Sequence, residues 1–204
     1  AFLKNRESEM YKLLGSKKSR AFRVLWALEE MGLEYEHIGA AARSDEVRAY
    51  NASGKVPVLL VGDHVLTDSV AIIQFLADKH GKLTFPAGSI ERARQDGLTQ
   101  FACDEMDGTL WTAARNSFIL PEERRVPAIK DTLKWEYARS MKTLADRLGD
   151  NTYLMGDTFT VADIIATHSG TWARNAGFAC DEQSVSDYID RVIARPAYIR
   201  AQAL

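Results

Sequence analysis

The hydrophobic pattern alternates between two periods in the first part of the chain. Residues 11–15 and 33–38 are short apolar or alternating runs, which are typical of strands. Residues 19–32 between them repeat apolar side chains at helical spacing and end at a glycine, a common helix stop. Residues 40–50 are rich in alanine and charge, which predicts a weak helix. Strands and helices are therefore expected to alternate here.

The segment 54–69, with the sequence GKVPVLLVGDHVLTDS, predicts a β-hairpin. Residues 58–61 and 64–67 are each one short strand long. Gly62-Asp63 between them is a two-residue loop with glycine first, which suits a type II′ turn.

A further helix is expected directly after this hairpin. Asp68-Ser69 precedes residues 70–81, in which apolar side chains recur at helical spacing. The predicted order of elements in the first part is therefore β-α-β-α-β-β-α. Such an order is typical of a thioredoxin-like α/β layer, with parallel strands joined by helices and a terminal hairpin.

The second part of the chain shows helical patterns and no strand signal. Residues 82–89 contain Pro86 and Gly88 between two periodic segments, so they are interpreted as a linker. An all-helical domain is expected over residues 90–204, after a thioredoxin-like domain over residues 10–81. The expected helices cover residues 90–119, 122–149, 160–176 and 184–195, with a short one after Pro196. Residues 1–9 precede Met10 and are interpreted as a leader or a remnant of cloning.

Composition and charge exclude several classes of protein. The 204 residues are 46% hydrophobic and 26% charged, which is ordinary for a globular chain with an ample core. A net charge of −2 gives no electrostatic reason to expect nucleic acid or an anionic membrane as a partner. No apolar run approaches the length of a membrane-spanning helix.

The cysteines and histidines do not suggest a metal centre. Cys103 and Cys180 are far apart in the sequence and form no metal-type spacing, which suits a reducing cytoplasm. The four histidines show no paired spacing either. We therefore expect a cytoplasmic protein that uses neither a disulfide framework nor a bound metal.

Two positions in the hairpin segment have chemistry that suits a ligand. A proline at 57 raises the chance of a cis bond after Val56, which would turn the N–H and C=O groups of Val56 outward. Asp68 and Ser69 place a carboxylate, a hydroxyl and free N–H groups at a helix start, which suits a ligand with an amine and a carboxylate. The residues alone favour the simpler interpretation, a rigid turn followed by an ordinary helix cap.

The pattern V-P-V-L, followed about ten residues later by D-S-x-A-I, resembles the glutathione-binding half of the cytosolic glutathione S-transferase superfamily. The resemblance covers nearly all of the chain from Met10 onward, with a thioredoxin-like domain followed by an all-helical domain. It implies that the main chain of Val56, before Pro57, binds the cysteinyl part of glutathione. It also implies that Asp68 and Ser69 bind the γ-glutamyl end, with Lys55 near the glycyl carboxylate.

The same resemblance implies a catalytic hydroxyl between the first strand and the first helix. Ser19 is the first choice, as in theta-type and beta-type members that rely on serine, and Ser16 is the alternative. Ser19 as a plain helix cap also stays open. Tyr11 is a weaker candidate because it lies within the strand. Arg23 is expected to be a charge on the helix surface.

The expected activity is that of a glutathione transferase with glutathione as co-substrate. The thiolate of glutathione would attack a small apolar electrophile, because the thiol itself is a poor nucleophile. Met106 and Trp111 could line the electrophile pocket, although residues at helical spacing are more often core. A homodimer is implied by the family. The alternatives are a glutathione-dependent isomerase, dehalogenase or ether-cleaving enzyme, and a non-catalytic interaction module.

Overall fold

The computed structural model describes residues 10–204, so the segment interpreted as a leader or a remnant of cloning lies outside the described residues. Four strands and three helices come first: β1 Tyr11–Leu14, α1 Ala21–Met31, β2 Tyr35–Ile38, α2 Asp45–Arg48, β3 Val58–Val61, β4 His64–Thr67 and α3 Ser69–His80. Further helices follow: α4 Ile90–Phe101, α5 Gly108–Ala114, α6 Ile129–Leu148, α7 Val161–Asn175, α8 Gln183–Ile193 and α9 Pro196–Ala203. The predicted order of elements and the predicted fold class are confirmed.

The strands form one sheet in the order β2-β1-β3-β4. β1 and β2 are parallel, with Leu13 opposite His37, and α1 makes the crossover between them. β3 is antiparallel to both β1 and β4. Gly62 in the β3–β4 turn has a φ of 56°, which a type II′ turn requires at its first central position. The expected hairpin therefore forms with the expected turn chemistry.

Contacts divide the chain into two compact units. One unit contains the sheet, ends at His80 and also includes Pro196–Leu204, while the other is Gly81–Arg195. α9 thus packs with the sheet unit, although the sequence assigns it to the helical domain. The core of the sheet unit consists of apolar side chains from β1, α1, β3 and α3: Leu13, Leu14, Val24, Leu25, Leu59, Ile72, Ile73 and Leu76 are fully buried.

The long helix expected over residues 90–119 is not a uniform α-helix. π-helical turns at Ala102–Asp107 and Arg115–Ile119 flank α5. The helix expected from residue 122 starts instead as a short 3-10 turn at Glu122–Arg124, and α6 begins only at Ile129. Pro127 explains this delay, since proline is tolerated in the first turn of a helix but not in its interior.

The start of α7 is held by a buried carboxylate. Asp163 accepts hydrogen bonds from the backbone N–H of Thr160 at 2.8 Å and of Leu154 at 2.9 Å, and from the Tyr188 hydroxyl at 2.7 Å. Thr160 and Asp163 form a capping box, in which each side chain accepts a hydrogen bond from the backbone N–H of the other residue. These bonds give Asp163 a structural role in the helical unit.

Candidate functional site

The bond between Val56 and Pro57 is cis, the geometry for which the proline at this position raises the chance. Pro57 is buried, whereas Val56 retains some exposed surface. Neither the N–H nor the C=O of Val56 has a hydrogen-bond partner among residues 10–204. Both main-chain groups are thus available to pair with an extended ligand.

Val56 lies directly beside the loop that follows β1. Gly15 has a φ of 141°, and a Cβ built there would lie 3.1 Å from the Cβ of Val56 and 2.6 Å from the Cβ of Ala21. Only a residue without a side chain allows this approach. The main chain of Val56, the loop after β1 and the first residue of α1 therefore meet at Gly15.

Asp68 caps helix α3 in a left-handed backbone conformation. Its φ is 73°, which aspartate tolerates better than most residues. Oδ1 accepts hydrogen bonds from the N–H groups of Val70 at 3.0 Å and Ala71 at 3.2 Å. The side chain is exposed. Asp68 is therefore a helix cap whose other carboxylate oxygen, Oδ2, has no partner among residues 10–204.

Ser69, the first residue of α3, is buried and bonded to a buried arginine. Its Oγ accepts a hydrogen bond from Nη1 of Arg23 at 3.3 Å. Ser69 is only 4% exposed and Arg23 only 2% exposed. The prediction that Arg23 is a surface charge is therefore wrong. Arg23 follows Phe22 and precedes Val24 on a helix whose first eight residues are all buried, so its polar end turns inward to a hydroxyl.

The loop after β1 forms a turn with both candidate hydroxyls in it. Ser19 donates its hydroxyl proton to the carbonyl oxygen of Ser16 at 2.6 Å and accepts a hydrogen bond from the N–H of Ala21 at 3.1 Å. The N–H of Ser19 also donates to the Ser16 carbonyl, at 3.0 Å. Ser16 accepts a bond from the N–H of Lys18 at 3.2 Å. Ser19 is partly exposed, and it combines a capping bond with an accessible hydroxyl.

His37, which belongs to no motif in the sequence, also supports this loop. Its Nε2, on β2, is hydrogen bonded to the carbonyl oxygen of Gly15 at 2.8 Å. The alternation of β2 places the His37 side chain on a face of the sheet but gives no sign of this partner.

Lys55 is exposed, and its main chain is held by the preceding turn. Its carbonyl accepts a hydrogen bond from Asn51 at 3.0 Å, and its N–H donates to Ser53 at 3.3 Å. Its ammonium group has no partner among residues 10–204.

Of the two residues predicted to line an electrophile pocket, Met106 has no exposed surface. It belongs to the core of the helical unit, as helical spacing alone would favour. Trp111 is partly exposed. Cys103 is partly exposed, and neither Cys103 nor Cys180 forms a disulfide within residues 10–204.

Metal binding finds no support in the part of the chain that the structure describes. Within residues 10–204, no group of three or more histidine, cysteine, aspartate or glutamate side chains is placed to hold a metal ion. Within the same range, no helix is long and apolar enough to cross a membrane.

Comparison with known proteins agrees with this architecture. Residues 19–79 match the family model of the glutathione S-transferase N-terminal domain, and residues 110–196 match that of the C-terminal domain. Human glutathione S-transferase theta-2B is 30% identical over 174 residues, a match that covers 78% of this chain and 68% of that protein. A thioredoxin-like sheet unit with a helical unit defines the class, and the chain belongs to the glutathione S-transferase family.

Solved structures show the same fold. A glutathione transferase from Methylococcus capsulatus superposes with a TM-score of 0.81 at 25% identity, over 95% of this chain and 98% of that one. A glutathione transferase from Phanerochaete chrysosporium, in complex with oxidized glutathione, superposes with a TM-score of 0.83 at 23% identity, over 98% and 97% of the two chains.

Elongation factors are also among the relatives. Elongation factor 1-gamma 2 of rice is 29% identical over 165 residues, which is 75% of this chain. The chain spans only 38% of the length of that relative.

Proposed function

We propose that the chain is a glutathione S-transferase that binds glutathione in its sheet unit and activates the thiol for attack on a small apolar electrophile. The observation that carries the proposal is the unpaired main chain of Val56 beside cis Pro57, close to Gly15 and the turn that contains Ser16 and Ser19. The transferase from Phanerochaete chrysosporium with the same fold holds oxidized glutathione, which supports glutathione as co-substrate here.

Each part of the tripeptide has a matching group in this unit. The N–H and C=O of Val56 pair with the cysteinyl main chain, as two strands would. The free oxygen of Asp68 accepts hydrogen bonds from the γ-glutamyl ammonium group, and Ser69 at the start of α3 donates to the γ-glutamyl carboxylate. Lys55 attracts the glycyl carboxylate.

Ser19 is proposed as the group that stabilises the thiolate. Rotation of its hydroxyl moves the donated proton from the Ser16 carbonyl to the sulfur of glutathione. The carbonyl stays satisfied by the N–H of Ser19 at 3.0 Å, so the exchange leaves no buried acceptor unpaired. The bond from Ala21 N–H to Ser19 Oγ holds the oxygen in place.

The reaction then needs little from the protein beyond ionisation and positioning. The thiol proton passes to solvent, the sulfur lone pair forms a bond to the electrophilic carbon, and the leaving group departs with its bonding electrons. Holding the two reactants together supplies much of the rate.

Trp111 is proposed to contact the electrophile, and a cytoplasmic homodimer is proposed from the family. The domain bounds 10–81 and 90–204 also stay a proposal, although Pro196–Leu204 packs with the sheet unit.

Retention on immobilised glutathione tests the binding site. We expect the wild-type chain to be retained and to elute with free glutathione, whereas the Ser69→Ala and Asp68→Asn variants elute early. Lys12→Met is the matched control, because Lys12 is an exposed β1 residue paired with Glu36 at 3.0 Å. Equal retention of all four proteins would refute the proposed site.

A second candidate function is a non-catalytic interaction module. The similarity to elongation factor 1-gamma favours it, because that relative is named as an elongation factor and the match covers 75% of this chain. Four glutathione-dependent reactions separate the two candidates: conjugation of an aryl halide, conjugation of an epoxide, reduction of a peroxide to an alcohol and water with oxidation of two glutathione molecules to their disulfide, and cis–trans isomerisation of a maleyl compound. Turnover with any of the four, lost in Ser19→Ala, supports the transferase, and glutathione binding without turnover supports the module.

A further inference from the structure

Helix α9 is anchored on helix α1 by an aromatic cluster within the sheet unit. The ring of Tyr198 packs edge-to-face against Trp26, with centroids 4.9 Å apart, and against Phe22, with centroids 5.2 Å apart. Ala197 and Ala201, on the same helix, are buried. These contacts pack the buried face of α9 against α1.

An ion pair adds a second anchor. Nε of Arg200 lies 2.7 Å from a carboxylate oxygen of Glu29, and Nη2 of Arg200 donates to the carbonyl of Glu29 at 3.1 Å. The carboxylate of Glu29 also accepts a hydrogen bond from the Tyr35 hydroxyl at 2.7 Å. α9 is therefore held to α1 at several points.

One lysine in the loop between β1 and α1 contacts the carboxyl end of α9. Nζ of Lys17 donates to the carbonyl oxygens of Gln202 at 2.9 Å and Leu204 at 2.8 Å. A cation at the carboxyl end of a helix is favourably placed, because the carbonyl groups there lack helical partners. Lys17 itself lies between Ser16 and Ser19, the two candidate hydroxyls.

From this geometry we infer that Lys17 is a positioning residue for Ser19, with α9 as the fixed support. The inference rests on the proposed function, since it concerns the hydroxyl proposed to face the sulfur of glutathione. The turn from Ser16 to Ser19 has two internal bonds to the Ser16 carbonyl, at 2.6 and 3.0 Å. Lys17 adds a link from this short turn to a packed helix.

This link determines how closely the Ser19 hydroxyl is held in position. A donor stabilises a thiolate only while it stays within hydrogen-bonding distance of the sulfur. Loss of the Lys17 link lets the turn open more often, so the hydroxyl spends less time in place. Loosening α9 at Tyr198 has the same effect without changing any charge near the sulfur.

Amide hydrogen exchange in the free protein tests the link without glutathione. The N–H groups of Ser19 and Ala21 report on the turn, because both are bonded inside it. We expect exchange about tenfold faster in Lys17→Met and in Tyr198→Ala. Lys18→Met and Ile199→Ala are the controls, since both side chains are exposed neighbours, and they should match the wild type. Global stability from urea unfolding identifies any variant that exchanges through whole-chain unfolding.

The pKa of the thiol of bound glutathione, from thiolate absorbance, gives the functional reading. Lys17→Met and Tyr198→Ala should both raise this pKa. Lys17→Arg should give the wild-type pKa, because arginine keeps the charge and the hydrogen-bond donors. A rise in Lys17→Met without a rise in Tyr198→Ala would mean that only charge matters, and would overturn the inference. Unchanged exchange in both variants would overturn it as well. A wild-type chain that fails to bind glutathione would refute the proposed function, while the exchange result would still decide whether α9 holds the turn.

Discussion

Nη1 of Arg23 donates a hydrogen bond to Oγ of Ser69 across 3.3 Å, and both residues are almost completely buried. Arg23 lies on α1, four residues after Ser19, and Ser69 is the first residue of α3. One side chain therefore connects the helix that follows the candidate catalytic turn to the helix start that is proposed to bind the γ-glutamyl end.

Replacing Arg23 by methionine should destabilise the fold. The methionine fills a similar volume but leaves the Ser69 hydroxyl without its donor, so we expect a loss of about 1–3 kcal/mol in the free energy of unfolding. Urea unfolding measures it. The Arg94→Met variant is the control, because Arg94 is exposed on α4. In a double-mutant cycle with Ser69→Ala, purely additive effects would argue against the pairing.

Asparagine at position 68 should separate capping from binding. Asparagine tolerates the φ of 73° and keeps an oxygen for the N–H groups of Val70 and Ala71, so stability should stay within about 0.5 kcal/mol. The lost negative charge should weaken glutathione binding about tenfold, the effect of roughly 1.4 kcal/mol. Calorimetric titration measures the affinity. Unchanged binding would restrict Asp68 to its capping role.

Alanine at position 15 should disturb the site more than its size suggests. The added Cβ would lie 2.6 Å from the Cβ of Ala21, and the φ of 141° is unfavourable for any side chain. Strain of this kind costs about 1–3 kcal/mol, and the overlap adds to it. Thermal unfolding measures the loss. Gly97→Ala is the control, because a Cβ built there meets no atom within 4 Å among the described residues apart from its chain neighbours and the nearby backbone of its own helix.

The contact between Glu29 and Arg200 makes the docking of α9 sensitive to acid. Burial raises the pKa of Glu29, but the hydrogen bonds from Tyr35 and Arg200 and the charge of Arg200 outweigh it, so the pKa falls below its ordinary value of 4.5. A lowered pKa in the folded state means that the contribution to stability is fully present above 4.5 and is lost as the pH falls through the folded-state value.

A Glu29→Gln variant should therefore be less stable than the wild type at pH 7 and should lose less stability on acidification. Thermal unfolding followed from pH 7 to pH 3 checks the difference. The same slope with pH in both proteins would show that Glu29 does not couple to the acid transition.

Much of the sheet unit was predictable because its signals are local. The Gly62-Asp63 turn and the alternation in the strands depend on neighbouring residues, and Pro57 itself raises the chance of the cis bond that precedes it. Arg23 could not be placed, because the partner that draws it inward is 46 residues away. The same holds for Lys17, whose acceptors lie 185 and 187 residues later. The π-helical turns at Ala102–Asp107 and Arg115–Ile119 could not be predicted either, because the apolar pattern does not distinguish a short π-helical turn from the α-helix around it.

The most direct test of the account is the pKa of the glutathione thiol when glutathione is bound, measured by thiolate absorbance in the wild type and in Ser19→Ala, with Ser16→Ala as the matched control. A free thiol ionises near pH 8.5. We expect the wild type and Ser16→Ala to lower this pKa by at least about one unit, equivalent to about 1.4 kcal/mol, and Ser19→Ala to return it towards the free value. A bound thiol that ionises at the same pH in the wild type and in Ser19→Ala would contradict the account.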